Sequence, residues 1–144
     1  MEFEVKSPIL GFEYIQKMKL EKIGKGVSKF IRLVSCGDDG ISFTLVNPYA
    51  VRSDYVFEFP AAIRALLEIK GKLSSDTQET QFAILNIVCV RTPSEESTVN
   101  FLAPLVFNFD NQTMAQVVLD STKYENYGLS ESLSSFDNPN NEQP

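Results

Sequence analysis

The sequence FAILNIVCV spans residues 82–90 and holds a single polar residue, Asn86. A short apolar run of this length is typical of a strand that is covered on both of its faces. We expect Asn86 to be a buried asparagine whose amide bonds to neighbouring backbone, because a polar group at that depth needs hydrogen-bond partners. This run is therefore predicted to be a central strand of the fold.

A second long strand is predicted directly downstream, over residues 98–108, TVNFLAPLVFN. Pro104 lies in its middle and has no N–H to donate to a ladder, which indicates a bulge or a sheet edge at that point. Residues 110–112 are turn formers, and residues 114–119 are predicted to form the last clear strand.

Upstream of the apolar run, the sequence predicts several shorter strands. Charged and apolar residues alternate over residues 2–6, which is the pattern of a half-buried strand. The β-rich runs 29–35 and 41–46 are joined by CGDDG, residues 36–40, whose Asp and Gly residues favour a tight connection. These two runs are therefore predicted to form a hairpin.

Two further segments complete this part of the prediction. Residues 12–23 fit both a helical turn and a strand, and we favour a short turn followed by a strand. Residues 55–59 predict another short strand, with Tyr55, Phe57 and Phe59 on one face.

One helix is predicted, over about residues 60–70. Ile63, Leu66 and Leu67 lie at the spacing i, i+3, i+4, so they share one helical face. Pro60 suits the first turn and Gly71 suits the C-terminal stop. At least seven short strands and one short helix predict an all-β fold, a small antiparallel, partly closed β-barrel or sandwich.

The length of 144 residues predicts one domain, which we place at residues 1–127. Residues 128–144 carry acidic residues and no basic residue, and are rich in Ser and Asn. That composition predicts a disordered acidic tail.

The composition argues against catalysis and metal binding. The chain has no histidine, which excludes histidine-based triads, dyads and metal sites. The carboxylate pair Asp38-Asp39 is predicted to lie in a turn. Solvent-exposed carboxylates do not suit general acid–base catalysis, which needs a dry pocket. Two carboxylates are also too few ligands for a calcium ion. Cys36 and Cys89 stand in apolar contexts, so we expect buried, reduced thiols. No catalytic, cofactor or metal site is expected, and the lack of a signal or membrane-spanning segment predicts a cytoplasmic protein.

The charge distribution bears on the class of partner. The net charge is -6, with ten basic and nine acidic residues in 1–70 but three basic and ten acidic residues in 71–144. Phosphate backbones repel such a chain, so we expect no direct nucleic-acid binding. An ordinary solvated acidic surface and an acidic face for a basic protein partner both remain open.

Several segments, in order and spacing, resemble the flagellar assembly factor family FliW over about residues 2–125. They are LGFE (10–13), LVNPY (45–49), DYVFEF (54–59), AILNIV (83–88), TVNFLAPLVFN (98–108) and AQVVL (115–119). The run at 98–108 is the most specific of them. The lysine-rich hairpin of the family is replaced here by DNQT at 110–113.

This resemblance implies a non-enzymatic regulator with two protein partners. One is flagellin, bound in the cytoplasm before export, and the other is the RNA-binding translational repressor CsrA. The protein freed by flagellin export would engage CsrA, and it is expected to be a monomer when free. A small-ligand-binding β-barrel is the alternative, and it would need a concave pocket with converging polar groups.

We predict a partner-binding surface at the end of the hairpin and on the suspected edge near Pro104. Apolar anchors and core residues look alike in sequence, so core packing stays an alternative for these positions. The predicted residues are Asp39, Phe43, Asn47, Pro48, Tyr49, Asn100, Leu102 and Pro104.

Overall fold

A computed structural model describes residues 1–23, 30–37, 40–69, 82–92 and 96–133. Within these ranges the chain forms strands and two short helices. In chain order they are β1 (Glu2–Ser7), β2 (Lys17–Lys22), β3 (Phe30–Ser35), β4 (Ser42–Val46), α1 (Pro48–Val51), α2 (Ala61–Leu66), β5 (Phe82–Cys89), β6 (Thr98–Val99), β7 (Leu105–Asn108), β8 (Thr113–Gln116) and β9 (Glu131–Ser132).

Seven of the strands close into a barrel in the order β1-β2-β3-β4-β5-β7-β8. Neighbours in this order pair antiparallel, except that β8 returns to β1 in parallel, with Glu4 opposite Thr113 and Val5 opposite Met114. The predicted hairpin is present as β3 and β4, with Leu33 opposite Phe43. The all-β barrel fold predicted from the sequence is confirmed.

The barrel interior is filled by side chains that alternate along the strands. On β5, Leu85 and Ile87 pack into this interior, whereas Ile84 and Val88 face outward into a second apolar layer. The apolar run that begins at Phe82 is therefore covered on both faces, as predicted. The buried interior cluster consists of Phe3, Ile9, Ile15, Met18, Leu33, Leu45, Leu105, Phe107 and Met114.

Among the described residues, the outer layer covers one side of the barrel. Residues 48–69 and 117–133 pack over the outer faces of β5, β7 and β8, where Val106 and Ala115 are fully buried. On β1 and β2 the outer positions are charged, and Lys17 pairs with Glu2 and Lys19 with Glu21 on the open surface.

Residues 55–59 do not form a strand, so that prediction is wrong. Two of their backbone N–H groups have tyrosine hydroxyls as partners in place of a neighbouring strand: Val56 N donates to the Tyr127 hydroxyl and Glu58 N to the Tyr124 hydroxyl. The expected alternation survives, because Tyr55 is buried while Val56 and Glu58 are exposed.

The strand predicted over residues 98–108 is interrupted. β6 pairs with one half of β5 and β7 with the other, and residues 100–104 leave the ladder between them. Asn100 fixes this turn, because its Oδ1 accepts hydrogen bonds from the N–H groups of Leu102 and Ala103. Pro104 does interrupt the ladder, but it lies in a buried turn and not on an exposed edge.

The helices also differ from the prediction. α2 is shorter than residues 60–70, since Leu67 caps it and Glu68 has a positive φ of 57°; Gly71 lies outside the described residues. The single turn α1 was not predicted. Asn47 caps it by accepting a hydrogen bond from Tyr49 N, and Pro48 occupies its first turn.

The ordered structure continues past the predicted domain boundary at residue 127. β9 pairs with β6, with Ser132 opposite Thr98 and Glu131 opposite Val99. Residues 128–133 therefore belong to the folded part of the chain and not to a tail. Residues 134–144 lie outside the described residues, and their disorder stays a prediction.

Both cysteines are free and exposed, which contradicts the expectation of buried thiols. Cys36 follows the last residue of β3, and Cys89 is the last residue of β5. At these positions the apolar residues before each cysteine are covered, but the thiol itself lies beyond the packed part of the strand.

We expect Ellman's reagent to titrate both thiols of the native protein without denaturant, because neither thiol has to be uncovered by unfolding first. Absorbance of the released thiolate gives the count directly. A count that reaches two only after urea is added would contradict the exposed placement.

Candidate protein-binding surface

Six aromatic side chains, five from the outer layer and Phe101 from the turn at residues 100–104, pack together and form what we call the aromatic cluster. Tyr55 is central: its ring centroid lies 4.8 Å from that of Tyr127, 5.3 Å from Phe101 and 6.0 Å from Tyr49. Such spacings are those of favourable aromatic pairs. The cluster consists of Tyr49, Tyr55, Phe57, Phe101, Tyr124 and Tyr127.

Tyr55 also anchors a buried hydrogen-bond network. Its hydroxyl donates to the carbonyl of Phe101 at 2.7 Å and accepts from Asn86 Nδ2 at 3.2 Å. Burial raises the pKa of Tyr55 far above its usual value, so this hydroxyl keeps its proton and remains a donor. The network holds the turn at residues 100–104 against β5.

Asn86 is buried as predicted, and its amide nitrogen also donates to the Asn100 carbonyl at 2.9 Å. Its Oδ1 has no hydrogen-bond partner among the described residues. The expectation of a satisfied core asparagine is therefore met on one side of the amide only.

The hydroxyls of Tyr124 and Tyr127 hold the extended segment 56–58. The Tyr127 hydroxyl accepts from Val56 N at 2.8 Å and donates to the Val56 carbonyl at 2.9 Å. The Tyr124 hydroxyl accepts from Glu58 N at 2.9 Å. Two side chains thus replace the backbone ladder that a neighbouring strand would supply.

Arg52 joins the cluster to the C-terminal segment. Its guanidinium carbon lies 5.1 Å from the Phe101 ring centroid and 4.9 Å from that of Tyr127, within the range of a cation–π contact. Its Nη1 donates to the Glu131 carboxylate at 3.1 and 3.2 Å and to the Asn126 carbonyl. Since the Arg52 side chain is only 13% exposed, this ion pair is largely shielded from solvent.

The outer rim of the cluster presents apolar side chains to solvent. Tyr49 is 43% exposed and Val56 68%. We call these two side chains, together with the half-buried Tyr127 whose hydroxyl bonds to the Val56 backbone, the Tyr49 surface. The carboxylates of Asp54 and Glu58, close by in the chain, are 81% and 83% exposed, and each forms an ion pair: Asp54 with Arg52 Nε at 3.8 Å and Glu58 with Lys123 Nζ at 3.4 Å.

The predicted residues after β4 lie at this surface. Asn47 is exposed and caps α1, Pro48 is buried beneath it, and Tyr49 projects outward while its ring contacts Tyr55. Partial burial raises the pKa of Tyr49. Asn100 is linked to the same region because its carbonyl accepts a hydrogen bond from Asn86, whose amide also bonds to the Tyr55 hydroxyl.

The other predicted residues are placed elsewhere. Leu102 is 7% exposed and packs in the outer-layer core, and Pro104 is buried. Phe43 packs against the barrel interior and meets Phe12 edge to face at 5.0 Å. Asp39 lies outside the described residues. The structure thus brings Asn47, Pro48, Tyr49 and Asn100 together and leaves Phe43 apart.

Sequence reasoning missed Arg52, Tyr124, Tyr127 and Glu131 as parts of this region. One signal was available: Tyr124 and Tyr127 are spaced i, i+3 in an otherwise polar stretch just before the predicted boundary. Arg52 and Glu131 gave no signal, because 79 residues separate them in the chain.

The part of the chain that the structure describes offers little that suits a metal site, a membrane span or a small-ligand pocket. No group of three or more His, Cys, Asp or Glu side chains gathers there as a metal ion would need. No helix within the described ranges is long and apolar enough to cross a membrane. The barrel interior is filled, and an open recess of about 500 Å³ at one barrel end has a largely charged and polar lining formed by Glu2, Phe3, Glu4, Gln16, Lys17, Asn111 and Gln112.

The chain matches the family model described as FliW protein over residues 1–130. Three curated relatives are similar over almost the whole chain. "Flagellar assembly factor FliW 2" of Wolinella succinogenes is 51% identical, covering 96% of this chain and 93% of that protein. "Flagellar assembly factor FliW" is 44% identical in Campylobacter lari, covering 94% and 96%, and 45% identical in Sulfurimonas denitrificans, covering 94% and 98%.

A solved structure has the same fold. It is described as "Crystal structure of the flagellar assembly factor FliW", and it superposes with a TM-score of 0.77 at 24% sequence identity. The match covers 96% of this chain and 87% of that chain, so the barrel and its outer layer are both included.

Proposed function

This chain belongs to the FliW family of flagellar assembly factors, and from that premise we propose that it binds flagellin in the cytoplasm and antagonises the translational repressor CsrA. In this scheme it acts without catalysis, as a monomer when free, and it couples flagellin synthesis to export. Flagellin and CsrA compete for it, so that export of flagellin releases the protein to engage CsrA.

The Tyr49 surface is the observation that carries this proposal. Apolar side chains at a protein surface are ordinary when scattered, but a group that rests on a packed aromatic cluster is typical of a binding surface. Tyrosine is also enriched among the residues that dominate interface energetics. The buried network under Tyr49 holds this surface rigid, which lowers the entropy cost of binding.

The net charge of the chain, -6, favours a basic partner such as an RNA-binding protein. A bound acidic protein lowers the affinity of a basic protein for RNA through like-charge repulsion, whether or not the two sites overlap.

Titration calorimetry with purified flagellin and with CsrA, first separately and then in competition, tests the proposal. Binding to both, with each partner weakening the other, is the expected result. Binding to flagellin alone would remove the translational role and keep the chaperone role. If neither flagellin nor CsrA gave a binding signal, the proposed function would be wrong.

We expect Tyr49→Ala to weaken partner binding by about tenfold, since a hot-spot tyrosine is worth on the order of 1–2 kcal/mol or more. The fold should survive, because 43% of Tyr49 is already exposed. Tyr14→Ala is the matched control: Tyr14 is 61% exposed and lies on the loop before β2. Unchanged affinity for both partners in Tyr49→Ala, or an equal loss in Tyr14→Ala, would contradict the assignment of the surface.

A further inference from the structure

β9 is a very short strand that covers the edge of β6. Only Glu131 and Ser132 belong to it, opposite Val99 and Thr98. Backbone bonds flank this pairing on both sides: Phe101 N donates to the Gly128 carbonyl at 2.9 Å, and Leu133 N to the Ser97 carbonyl at 2.8 Å. The segment 128–133 is therefore held by an extended backbone pairing, in the manner of an added strand.

Two side chains of this segment make specific contacts. The Glu131 carboxylate accepts from Arg52 Nη1 at 3.1 and 3.2 Å and from Gly128 N at 2.6 Å. Leu133, two residues later, packs partly buried against the core that contains Val99 and Phe101. Leu129, by contrast, is 63% exposed. The pattern of the segment is thus a carboxylate followed, two positions on, by an aliphatic side chain.

Arg52 and β6 are also held by contacts that lie outside the segment 128–133. Arg52 is positioned by the rings of Phe101 and Tyr127 and by the Asn126 carbonyl, independently of Glu131. Val99 and Phe101 are fully buried with the segment in place. The segment is held by one partly buried aliphatic side chain, the Glu131–Arg52 ion pair and its backbone bonds, and a two-residue strand is marginal by itself. Neither β6 nor β9 is among the seven strands that close the barrel, so the segment can leave β6 without opening the barrel.

We propose that the edge of β6 and Arg52 form a strand-addition site, which the chain fills with its own residues 128–133 until an extended acidic peptide of a partner protein replaces them. The partner peptide pairs its backbone with Thr98 and Val99, places a carboxylate on Arg52 and an aliphatic side chain two residues later in the position of Leu133. This inference does not depend on flagellin or CsrA.

The test uses the full-length chain, ¹⁵N-labelled, and a capped synthetic peptide with the sequence of residues 127–133. Two chains are compared: the wild type, whose own segment competes, and Glu131→Ala, whose segment lacks its carboxylate. We expect the peptide to bind Glu131→Ala at least tenfold more tightly, with shifts at the amides of Thr98, Val99 and Phe101. A peptide carrying glutamine at the position of Glu131 should lose at least tenfold in affinity.

Glu125→Ala is the matched control, because Glu125 is an exposed acidic residue of the same region whose removal should leave peptide affinity at the wild-type value. Equal affinity for wild type and Glu131→Ala, or shifts confined to other strands, would overturn the proposal. If Glu131→Ala formed dimers in sedimentation and did not bind the peptide, the proposal would also be wrong. The occupant of the site would then be a second copy of the chain.

Hydrogen exchange in the wild type keeps the inference testable if Glu131→Ala does not fold. The amide of Leu133 should exchange at least a hundredfold faster than that of Val106 in β7, because the segment opens without unfolding of the barrel. Equal exchange rates at Leu133 and Val106 would mean that the segment opens only with the whole fold, and the proposal would be wrong.

Discussion

Tyr55→Ala is expected to lower the free energy of unfolding by about 3–5 kcal/mol, the usual cost of emptying a large aromatic site in a core. Tyr55 is 2% exposed and contacts the rings of Tyr49, Phe57, Phe101 and Tyr127. Its loss also removes the hydroxyl that donates to the Phe101 carbonyl and accepts from Asn86 Nδ2. A cavity and unsatisfied buried polar groups are thus created together.

Urea unfolding followed by circular dichroism measures this effect, and Tyr55→Phe separates its two parts. The phenylalanine keeps the ring contacts and loses only the hydroxyl, so its cost should be about 1–3 kcal/mol. If Tyr55→Ala lowered stability no more than Tyr55→Phe does, the ring packing described for the aromatic cluster would be wrong.

Phe3→Ala should cost a similar amount, about 3–5 kcal/mol. Phe3 is 0% exposed and lies 5.1 Å from Phe107 and 5.5 Å from Phe109, measured between ring centroids, with both pairs edge to face. It belongs to β1, the strand that completes the barrel, so its cavity weakens the interior at the closing strand.

Thermal and urea melts of Phe3→Ala should be compared with those of Glu4→Gln. Glu4 is the next residue of the same strand but is exposed on the outer face, so its substitution should change stability by less than about 0.5 kcal/mol. A large effect of Glu4→Gln with a small effect of Phe3→Ala would mean that the faces of β1 are reversed. Either core variant removes a large share of the roughly 5–15 kcal/mol typical of a folded domain.

Local patterns predicted the strands well where the partner of each strand was close in sequence. The hairpin β3–β4 followed from two β-rich runs and a turn of Asp and Gly, and the covered strand β5 from its apolar run. The failure at residues 55–59 is instructive, because the same alternation of buried and exposed side chains occurs with tyrosine hydroxyls as partners. Alternation reports burial on one face, not the presence of a ladder.

The candidate site was predictable only in part. Tyr49 and Phe43 are both aromatic residues near the end of the hairpin, yet one projects into solvent and the other packs against Phe12. Sequence alone does not distinguish these two fates, because an aromatic side chain suits a core and an interface equally. Arg52 and Glu131 were beyond prediction since only the folded chain brings them together.

The parallel pairing of β1 with β8 sets the order of events during synthesis of the chain. β1 is paired with residues 113–115, which are translated more than a hundred positions after it. Until then β1 can pair only with β2, and the nascent sheet keeps a free edge open to other chains. Barrel closure is thus a step of high contact order, and such pairings are slow to form.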